Sequence, residues 1–454
     1  MDSGARLIKV NIEDESSAST LAEAEAGLRL RWWYLLPAVF IAYSLAYLDR
    51  ANYGMGAAAG LATTLHITAG QNSLLGALFF LGYFAFQLPG TMLVGKRSPV
   101  RLIFVALGLW GVLAALTGVI RVFWALALDR FLIGVAESCI FPAMLLLLTR
   151  WFTKAERSRA NTLLILANPV TVLWMSAITG YLIQLFGWQR TFIYEGLPAV
   201  LWSVAWIALV KDRPADAKWM TPIATELLES RLATEQLAVA PVKNVRAALL
   251  RSDVVLLSIV YFCWSLGVYG FVLWLPTIVR QGAALSMGRT GLLSAVPYLV
   301  AILMMLFAAQ RSDKTLRRKS LVWPFLLIAG IAFACSFIFA RSSFAFAFAG
   351  LIVAGACMYA PYGPFFAIVP ERVPRTATAE TLAVINSSGA LGGFFGSYFV
   401  GWLQGATGDA RAGYLLMAVS LVCAAGLMLC LDDVKTSEKQ DLTAQSLTVR
   451  ENEA

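Results

Sequence analysis

The sequence is poor in charged residues and in the residues that build metal centres. Asp, Glu, Lys and Arg make up 14% of the 454 residues, whereas 59% are hydrophobic and the mean hydropathy is +0.71. Soluble domains carry about 25% charged residues, so the composition excludes an ordinary soluble enzyme. The single histidine, His66, and six dispersed cysteines provide no metal-ligand or disulfide spacing.

Features of nucleic-acid-binding and ATP-driven proteins are also missing. The net charge is +9, but Lys and Arg stand in short clusters between apolar runs of about 20 residues, as in membrane-protein loops. The complete phosphate-loop pattern is absent, so neither nucleic acid nor a nucleotide cofactor is expected. The first thirty residues lack the basic-then-apolar order of a cleaved signal.

Long apolar runs predict twelve transmembrane helices, because about 20 apolar residues cross the hydrocarbon. The predicted spans are 33–54, 73–95, 101–120, 123–148, 160–185, 190–210, 254–279, 290–310, 321–340, 344–370, 379–404 and 412–431. Lys and Arg are concentrated in the loops after the even-numbered spans, which places both termini in the cytoplasm. The predicted fold class is therefore an all-α polytopic membrane protein.

A charged stretch near the middle of the chain divides it into two halves. The expected segments are a cytoplasmic tail at 1–32, a six-helix half at 33–210, a linker at 211–253, a second six-helix half at 254–431 and a tail at 432–454. The halves begin their second helices similarly, with Asn72–Ala77 in one and Thr290–Ala295 in the other. Duplicated halves with a site between them are the architecture of secondary carriers.

Ionisable residues inside the spans are candidates for function because burying them in lipid costs several kcal/mol. The first span contains Asp49 and Arg50, and the fourth contains Asp129, Arg130 and Glu137. Arg130 and Glu137 are seven residues apart, which puts them on one helix face. We expect two arginines and two carboxylates to share a cavity, where Arg binds an anion bidentately. The alternative is an ion-pair cluster that only holds the helices together.

Several motifs resemble the anion:cation symporter family of the major facilitator superfamily. They are Tyr47-Leu48-Asp49-Arg50-Ala51-Asn52, Arg130-Phe131-Leu132-Ile133-Gly134-Val135-Ala136-Glu137 and Phe141-Pro142-Ala143-Met144. The resemblance implies two pseudo-symmetric six-helix halves, a monomer in the bacterial inner membrane, no cofactor, and import of a small organic anion with protons. Residues 359–367 and 168–176 most resemble the 2-ketogluconate transporters. Gly95 departs from the superfamily pattern, which has an acid there.

Charge and position, together with the resemblance, indicate roles for individual residues. Arg50 is expected to bind substrate, Arg130 to hold Glu137 ionised, and Asp49 and Glu137 to couple protons. Further residues expected to line the cavity are Tyr47, Tyr83, Asn168, Trp264, Tyr269, Tyr359, Tyr362, Asn386 and Ser387. For the aromatic residues among them, packing or a place at the lipid interface is an equally good interpretation. Glu195 and Trp188 are interpreted as a helix cap and an interfacial anchor.

Three other functions remain open at this stage. An exporter of drugs or cations should have an acidic cavity with few arginines, and Arg50 and Arg130 argue against it. An anion exchanger or a facilitator would have the same fold as a proton symporter. A receptor without transport activity should have an additional soluble domain, and the linker at 211–253 is too short to form one.

Overall fold

The computed structural model describes residues 2–237, 250–315, 317–372, 378–408 and 412–432. Within these residues the regular structure is helical, with one 3-10 turn at Pro214–Asp216 and no strand. The helices are α1 (Asp2–Ala58), α2 (Leu61–Thr64), α3 (Ala69–Lys96), α4 (Pro99–Thr117), α5 (Phe123–Glu137), α6 (Ile140–Trp151), α7 (Lys154–Leu209), α8 (Pro222–Leu237), α9 (Ser252–Ala283), α10 (Met287–Thr315), α11 (Lys319–Phe339), α12 (Phe344–Tyr359), α13 (Tyr362–Arg372), α14 (Thr378–Thr407) and α15 (Ala412–Leu429).

These helices confirm the all-helical membrane architecture, because a chain in lipid must satisfy its backbone hydrogen bonds internally. Nine segments of the described chain are long and apolar enough to span a bilayer. They do not include α1 and α14, which contain the predicted first and eleventh spans. Twelve crossings therefore remain a prediction.

The long helix α7 is a hairpin that contains the predicted fifth and sixth spans. Gly187 has φ 79° and ψ 162°, a backbone conformation that glycine adopts without steric cost. The Thr179 hydroxyl contacts the Glu195 carboxylate, although 16 residues of straight helix would separate them by about 24 Å. The chain therefore reverses at Gly187, between a first arm (154–186) and a second arm (188–209).

Helices α1–α7, here called the N-terminal half, meet helices α9–α15, the C-terminal half, along three helix pairs. Helix α3 packs along α14, the first arm of α7 packs along α10, and α1 packs along α9. Small residues permit this approach, since a side chain on Gly180 would collide with the backbone of Met287 and Gly291. The division of the chain into two folding units of six spans remains a prediction.

The linker contains a helix that packs on the N-terminal half. Gly27 of α1 lies against Ala224 of α8, and Arg231 forms an exposed ion pair with Glu25 at 3.2 Å. The remainder of the predicted linker, 238–249, and the predicted tail beyond 432 lie outside the described residues. The surroundings of Gly95 are likewise not described.

Candidate functional site

Two buried ion pairs join α1 to α5 inside the N-terminal half. Arg50 Nε lies 2.9 Å from Glu137 Oε2, and Arg130 Nη1 lies 3.3 Å from Asp49 Oδ2. None of the four residues is more than 8% exposed. The structure thus brings together the two arginines and two carboxylates that the sequence placed in one cavity.

The partners in these pairs differ from the sequence expectation, in which Arg130 holds Glu137. Glu137 instead pairs with Arg50. Arg130 and Glu137 share a face of α5, but seven residues of helix separate them by about 10 Å. Each acid of the quartet therefore pairs with the arginine of the other helix, which also ties α1 to α5.

Aromatic rings surround both guanidinium groups. The Arg50 Cζ atom lies 4.7 Å from the ring centroid of Tyr83, 5.3 Å from that of Phe79 and 5.7 Å from that of Tyr47. Arg130 Cζ lies 4.9 Å from the ring centroid of Tyr53. Ring faces attract a cation in a desolvated site, so these rings stabilise both charges.

Both ion pairs leave polar atoms free. Arg50 Nη2, Glu137 Oε1, Arg130 Nε and Asp49 Oδ1 are buried and have no hydrogen-bond partner among the described residues. A buried charged group without its hydrogen bonds is costly. The arrangement can therefore accept an additional ligand, because a carboxylate at Arg50 would satisfy a donor that the protein leaves open.

Two more buried carboxylates lie close to the quartet, and neither forms an ion pair among the described residues. Asp129 Oδ2 accepts a hydrogen bond from Thr117 at 2.7 Å. Glu195 Oε2 accepts one from Asn52 at 3.1 Å, and its Oε1 contacts Thr179. The interpretation of Glu195 as a helix cap is wrong, because its oxygens bond side chains of two other helical segments in the bundle interior.

Trp188 also differs from the sequence interpretation. Only 3% of it is exposed, its indole donates to the Thr64 hydroxyl at 3.3 Å, and the Arg121 guanidinium lies 5.8 Å from its ring centroid. Packing of the hairpin turn against α2 buries this ring, so it is not an anchor exposed to lipid headgroups.

Three of the predicted aromatic residues of the C-terminal half lie in one cluster. Trp264 of α9 and Tyr362 of α13 have ring centroids 4.5 Å apart, and Tyr359 lies 5.7 Å from Tyr362. The Trp264 indole donates to Met358 O at 2.9 Å, so its polar edge is used within the protein. The Tyr359 side chain lies beside Tyr47 of α1.

Tyr269 connects this aromatic cluster to the arginines. Its ring packs on Phe80 of α3 with centroids 4.4 Å apart, and its hydroxyl interacts with Arg50. Tyr269 is therefore the predicted residue of the C-terminal half whose side chain acts on the quartet directly.

The three predicted polar residues lie in different places. Ser387 of α14 is buried and donates to Gln87 Oε1 of α3 at 3.0 Å, which links the two halves. Asn168, in the first arm of α7, has a buried side-chain oxygen without a hydrogen-bond partner among the described residues. Asn386 is half-buried next to Ser387. The structure describes no contact of either asparagine with Arg50 or Arg130.

Sequence reasoning placed Asp129 inside the fourth span without giving it a role, interpreted Glu195 as a helix cap and did not name Gln87. All three stand inside predicted spans, where a polar side chain is costly even when it is not ionisable. Nothing in the sequence pattern indicated Phe79, which lies against both guanidinium groups. In the described part of the chain no group of three His, Cys, Asp or Glu side chains is placed to hold a metal ion.

Comparison with known proteins identifies relatives along most of the chain. The profile of the Major Facilitator Superfamily matches residues 39–397. The chain is 32% identical to a putative tartrate transporter of Agrobacterium vitis, over 89% of this chain and 91% of that protein. It is 30% identical to a quinolone resistance transporter of Acinetobacter baumannii, over 87% of this chain and 92% of that protein.

A solved structure has the same fold at low sequence identity. A bacterial homologue of the human lysosomal transporter Spinster superimposes with a TM-score of 0.72 at 18% identity, over 87% of this chain and 96% of that one.

Proposed function

The chain belongs to the major facilitator superfamily and is a multi-pass membrane transport protein, not an enzyme, and on that basis we propose that it imports a small organic anion together with protons. The substrate class is sugar acids and hydroxy acids, with 2-ketogluconate, a related aldonate or tartrate as specific candidates. It acts as a symporter of the anion:cation symporter type in the bacterial inner membrane, with both termini cytoplasmic.

One observation carries this proposal: Arg50 is buried and has a free donor. It binds Glu137 through Nε alone, Nη2 has no partner in the described chain, and Tyr83 and Phe79 cover the guanidinium. A guanidinium binds a carboxylate through two parallel N–H groups. A substrate carboxylate is the ligand that this edge of Arg50 fits.

Proton coupling follows from the pairing of Arg50 with Glu137. An anion that binds Arg50 competes with Glu137 for the same guanidinium. Glu137 then becomes a buried carboxylate without a cation, which costs several kcal/mol, so a proton binds to it as the substrate binds. For a substrate with one negative charge, the proton restores the net charge of the empty site, and the protein can then pass through its occluded state. Asp49 responds in the same way if the substrate also reaches Arg130.

Export of a drug is the second candidate, favoured by the relative named as a quinolone resistance transporter. A fluoroquinolone carries a carboxylate, so Arg50 fits it by the same chemistry. The two candidates differ in the direction of coupling, because export exchanges the drug for protons.

The experiment is transport by purified protein in lipid vesicles, with 2-ketogluconate, galactonate, tartrate and norfloxacin as probes. We expect vesicles with an acidic exterior to accumulate at least one of the sugar or hydroxy acids above its external concentration. The dimethyl ester of tartrate should not compete for uptake, because it has lost both the charge and the acceptor that Arg50 binds.

Each of the other outcomes identifies a rival function. Uptake only into vesicles preloaded with an anion indicates an exchanger, and equilibration without accumulation indicates a facilitator. Norfloxacin uptake into vesicles with an acidic interior, with no response to the sugar acids, indicates a drug antiporter. Competition by the dimethyl ester at the concentration of tartrate itself would contradict the anion site.

A further inference from the structure

Glu195, in the second arm of α7, is a buried carboxylate with neutral partners only. It is 8% exposed, and its partners Asn52 and Thr179 are 2% and 1% exposed. Asn52 donates to Oε2, and the Thr179 hydroxyl contacts Oε1. In the portion of the chain that the structure describes, no Lys, Arg or His pairs with it.

The energetics of that environment favour an uncharged Glu195. A buried carboxylate without a cation costs several kcal/mol, and two neutral hydrogen bonds offset part of this. A bound proton removes the charge. The Thr179 hydroxyl can donate or accept, so it forms a hydrogen bond with either state of the acid.

We propose that Glu195, held between Asn52 and Thr179, is a proton-binding site that loads and releases a proton during the transport cycle. This inference rests on the proposed symport for its transport role, and the binding of the proton can be tested without any substrate. The site is distinct from the Arg50–Glu137 and Arg130–Asp49 pairs, because Glu195 contacts neither arginine in the described structure.

The charged groups around Glu195 are few. Asp49 of α1 acts on it electrostatically and is itself paired with Arg130. On the other side Gly196 packs against Gly111 and Ala115 of α4. The only charged residue of α4, Arg101, is exposed at the opposite end of that helix. The cations of the neighbouring segments lie elsewhere: Arg121 lies against Trp188, and Arg190 and Arg289 are exposed.

Asn52 connects this acid to the quartet. It stands three residues after Asp49 on α1, on the same helix face, and its side chain interacts with Asp49 while donating to Glu195. Because two ionised carboxylates repel each other in a desolvated interior, a proton on one favours the charged state of the other. By linkage, release of the proton from Glu195 therefore weakens the Asp49–Arg130 pair.

The first test is an infrared titration of the protein in lipid vesicles, with no substrate present. A protonated carboxyl group has a carbonyl band that an ionised carboxylate lacks. We expect the Glu195→Gln protein to lose one pH-dependent band of this kind. The control is Glu156→Gln, which removes an acid of the same type that is paired with Arg31 and 29% exposed, and which should retain the band that Glu195→Gln loses.

The second test measures accumulation of tartrate and 2-ketogluconate under a fixed pH gradient. Each coupled proton contributes a factor of about ten in accumulation per pH unit. Glu195→Gln should lose one such factor and keep substrate exchange at equal pH. Thr179→Val, which keeps the shape and the acid but removes the hydroxyl, should shift the infrared titration without abolishing the band.

Two results would overturn the inference. One is a folded Glu195→Gln protein that retains every carbonyl band of the wild type. The other is wild-type accumulation by that variant under the same gradient. If the wild-type protein accumulates no probe, the proposed symport fails, and the infrared titration still decides whether Glu195 binds a proton.

Discussion

The two halves of the bundle differ in what they bury. By the exposure of the whole residue, the buried charged residues of the described chain belong to the N-terminal half: Arg31, Asp49, Arg50, Asp129, Arg130, Glu137 and Glu195. In the C-terminal half the side chain of Arg372 is 7% exposed and pairs with Asp253 at 3.5 Å. Both halves bury large aromatic side chains, and in the C-terminal half these are not accompanied by fully buried charged residues in the described chain; they include Tyr261, Trp264, Tyr298, Tyr359 and Tyr362. One half can therefore bind charge, and the other offers ring faces and hydroxyl groups.

This asymmetry has a physical advantage in a carrier whose halves move relative to each other. An ion pair between the halves would have to break in each cycle, and a separated buried pair costs several kcal/mol. The Arg50–Glu137 and Arg130–Asp49 pairs lie within one half, between α1 and α5. These two ion pairs can persist while the halves separate. Binding of the substrate or of a proton is then what breaks them.

The largest effect is expected from Arg50→Ala, which removes the proposed substrate contact from the charged half. A charge-assisted hydrogen bond contributes about 1.5–3 kcal/mol, so uptake should fall by roughly a hundredfold. Arg130→Ala should also abolish uptake, because it leaves Asp49 buried without its partner. The measurement is initial uptake of tartrate and 2-ketogluconate by vesicles with equal amounts of folded protein.

The matched control for both variants is Arg101→Ala, which removes an exposed arginine from α4. It should transport like the wild type. Normal uptake by folded Arg50→Ala protein would remove the basis for assigning anion binding to the N-terminal half.

The second effect concerns coupling within the charged half. Glu137→Gln mimics the protonated acid, so it should keep exchange between preloaded vesicles and lose accumulation driven by a pH gradient. If Glu137 binds one coupled proton, accumulation falls about tenfold per pH unit of gradient. A variant that still concentrates substrate as the wild type does, with only a pH gradient supplied, would exclude Glu137 as a coupling site.

Much of the charged half could be predicted from the sequence. Charges are rare in lipid, so Asp49, Arg50, Arg130 and Glu137 stand out as soon as the spans are drawn. The helical repeat also placed Arg130 and Glu137 on one face. It could not give the pairing, because the partner of each residue depends on the rotation of α1 against α5, and that is set by packing contacts far apart in the sequence.

The aromatic half was less predictable. Tyr and Trp occur in packing, at the lipid interface and in binding sites, so their presence alone does not separate these roles. The contacts in the structure distinguish these roles. Trp264 donates its N–H to Met358 O, whereas Tyr269 reaches Arg50. Glu195 was misinterpreted for a related reason. Its position near the start of a predicted span suggested a cap, and only the hairpin at Gly187 brings Thr179 beside it.

A smaller effect is expected from Tyr359→Phe, which removes one hydroxyl group from the aromatic half. In the proposed site this hydroxyl bonds the transported anion, and a hydrogen bond contributes about 1 kcal/mol. The KM of the anion should therefore rise roughly fivefold. The accumulation ratio should not change, because the proposed proton sites lie in the other half. The control is Tyr194→Phe, an exposed ring on the second arm of α7. Loss of coupling in Tyr359→Phe would contradict this division of roles.

The smallest effect is expected from Ser387→Ala, which removes a contact between the halves. Two further hydrogen bonds between the halves join Arg280 to Ala58 O, and Gly288 N to Gln184 Oε1. Those two lie where α1, the first arm of α7 and α9 end and α10 begins. Ser387–Gln87 lies deeper, between α3 and α14.

Because a neutral hydrogen bond contributes about 0.5–1.5 kcal/mol, its loss should change the equilibrium between conformations by roughly two- to tenfold. Substrate affinity at the charged site should not change. Cysteine-accessibility labelling along α3 measures the equilibrium, and substrate protection against labelling measures the affinity. Ser388→Ala is the control, since its hydroxyl bonds Val384 O of its own helix. A change in substrate affinity with an unchanged conformational equilibrium would show that Ser387 contacts the substrate. The C-terminal half would then bind the substrate directly and not only through Tyr269 and Arg50.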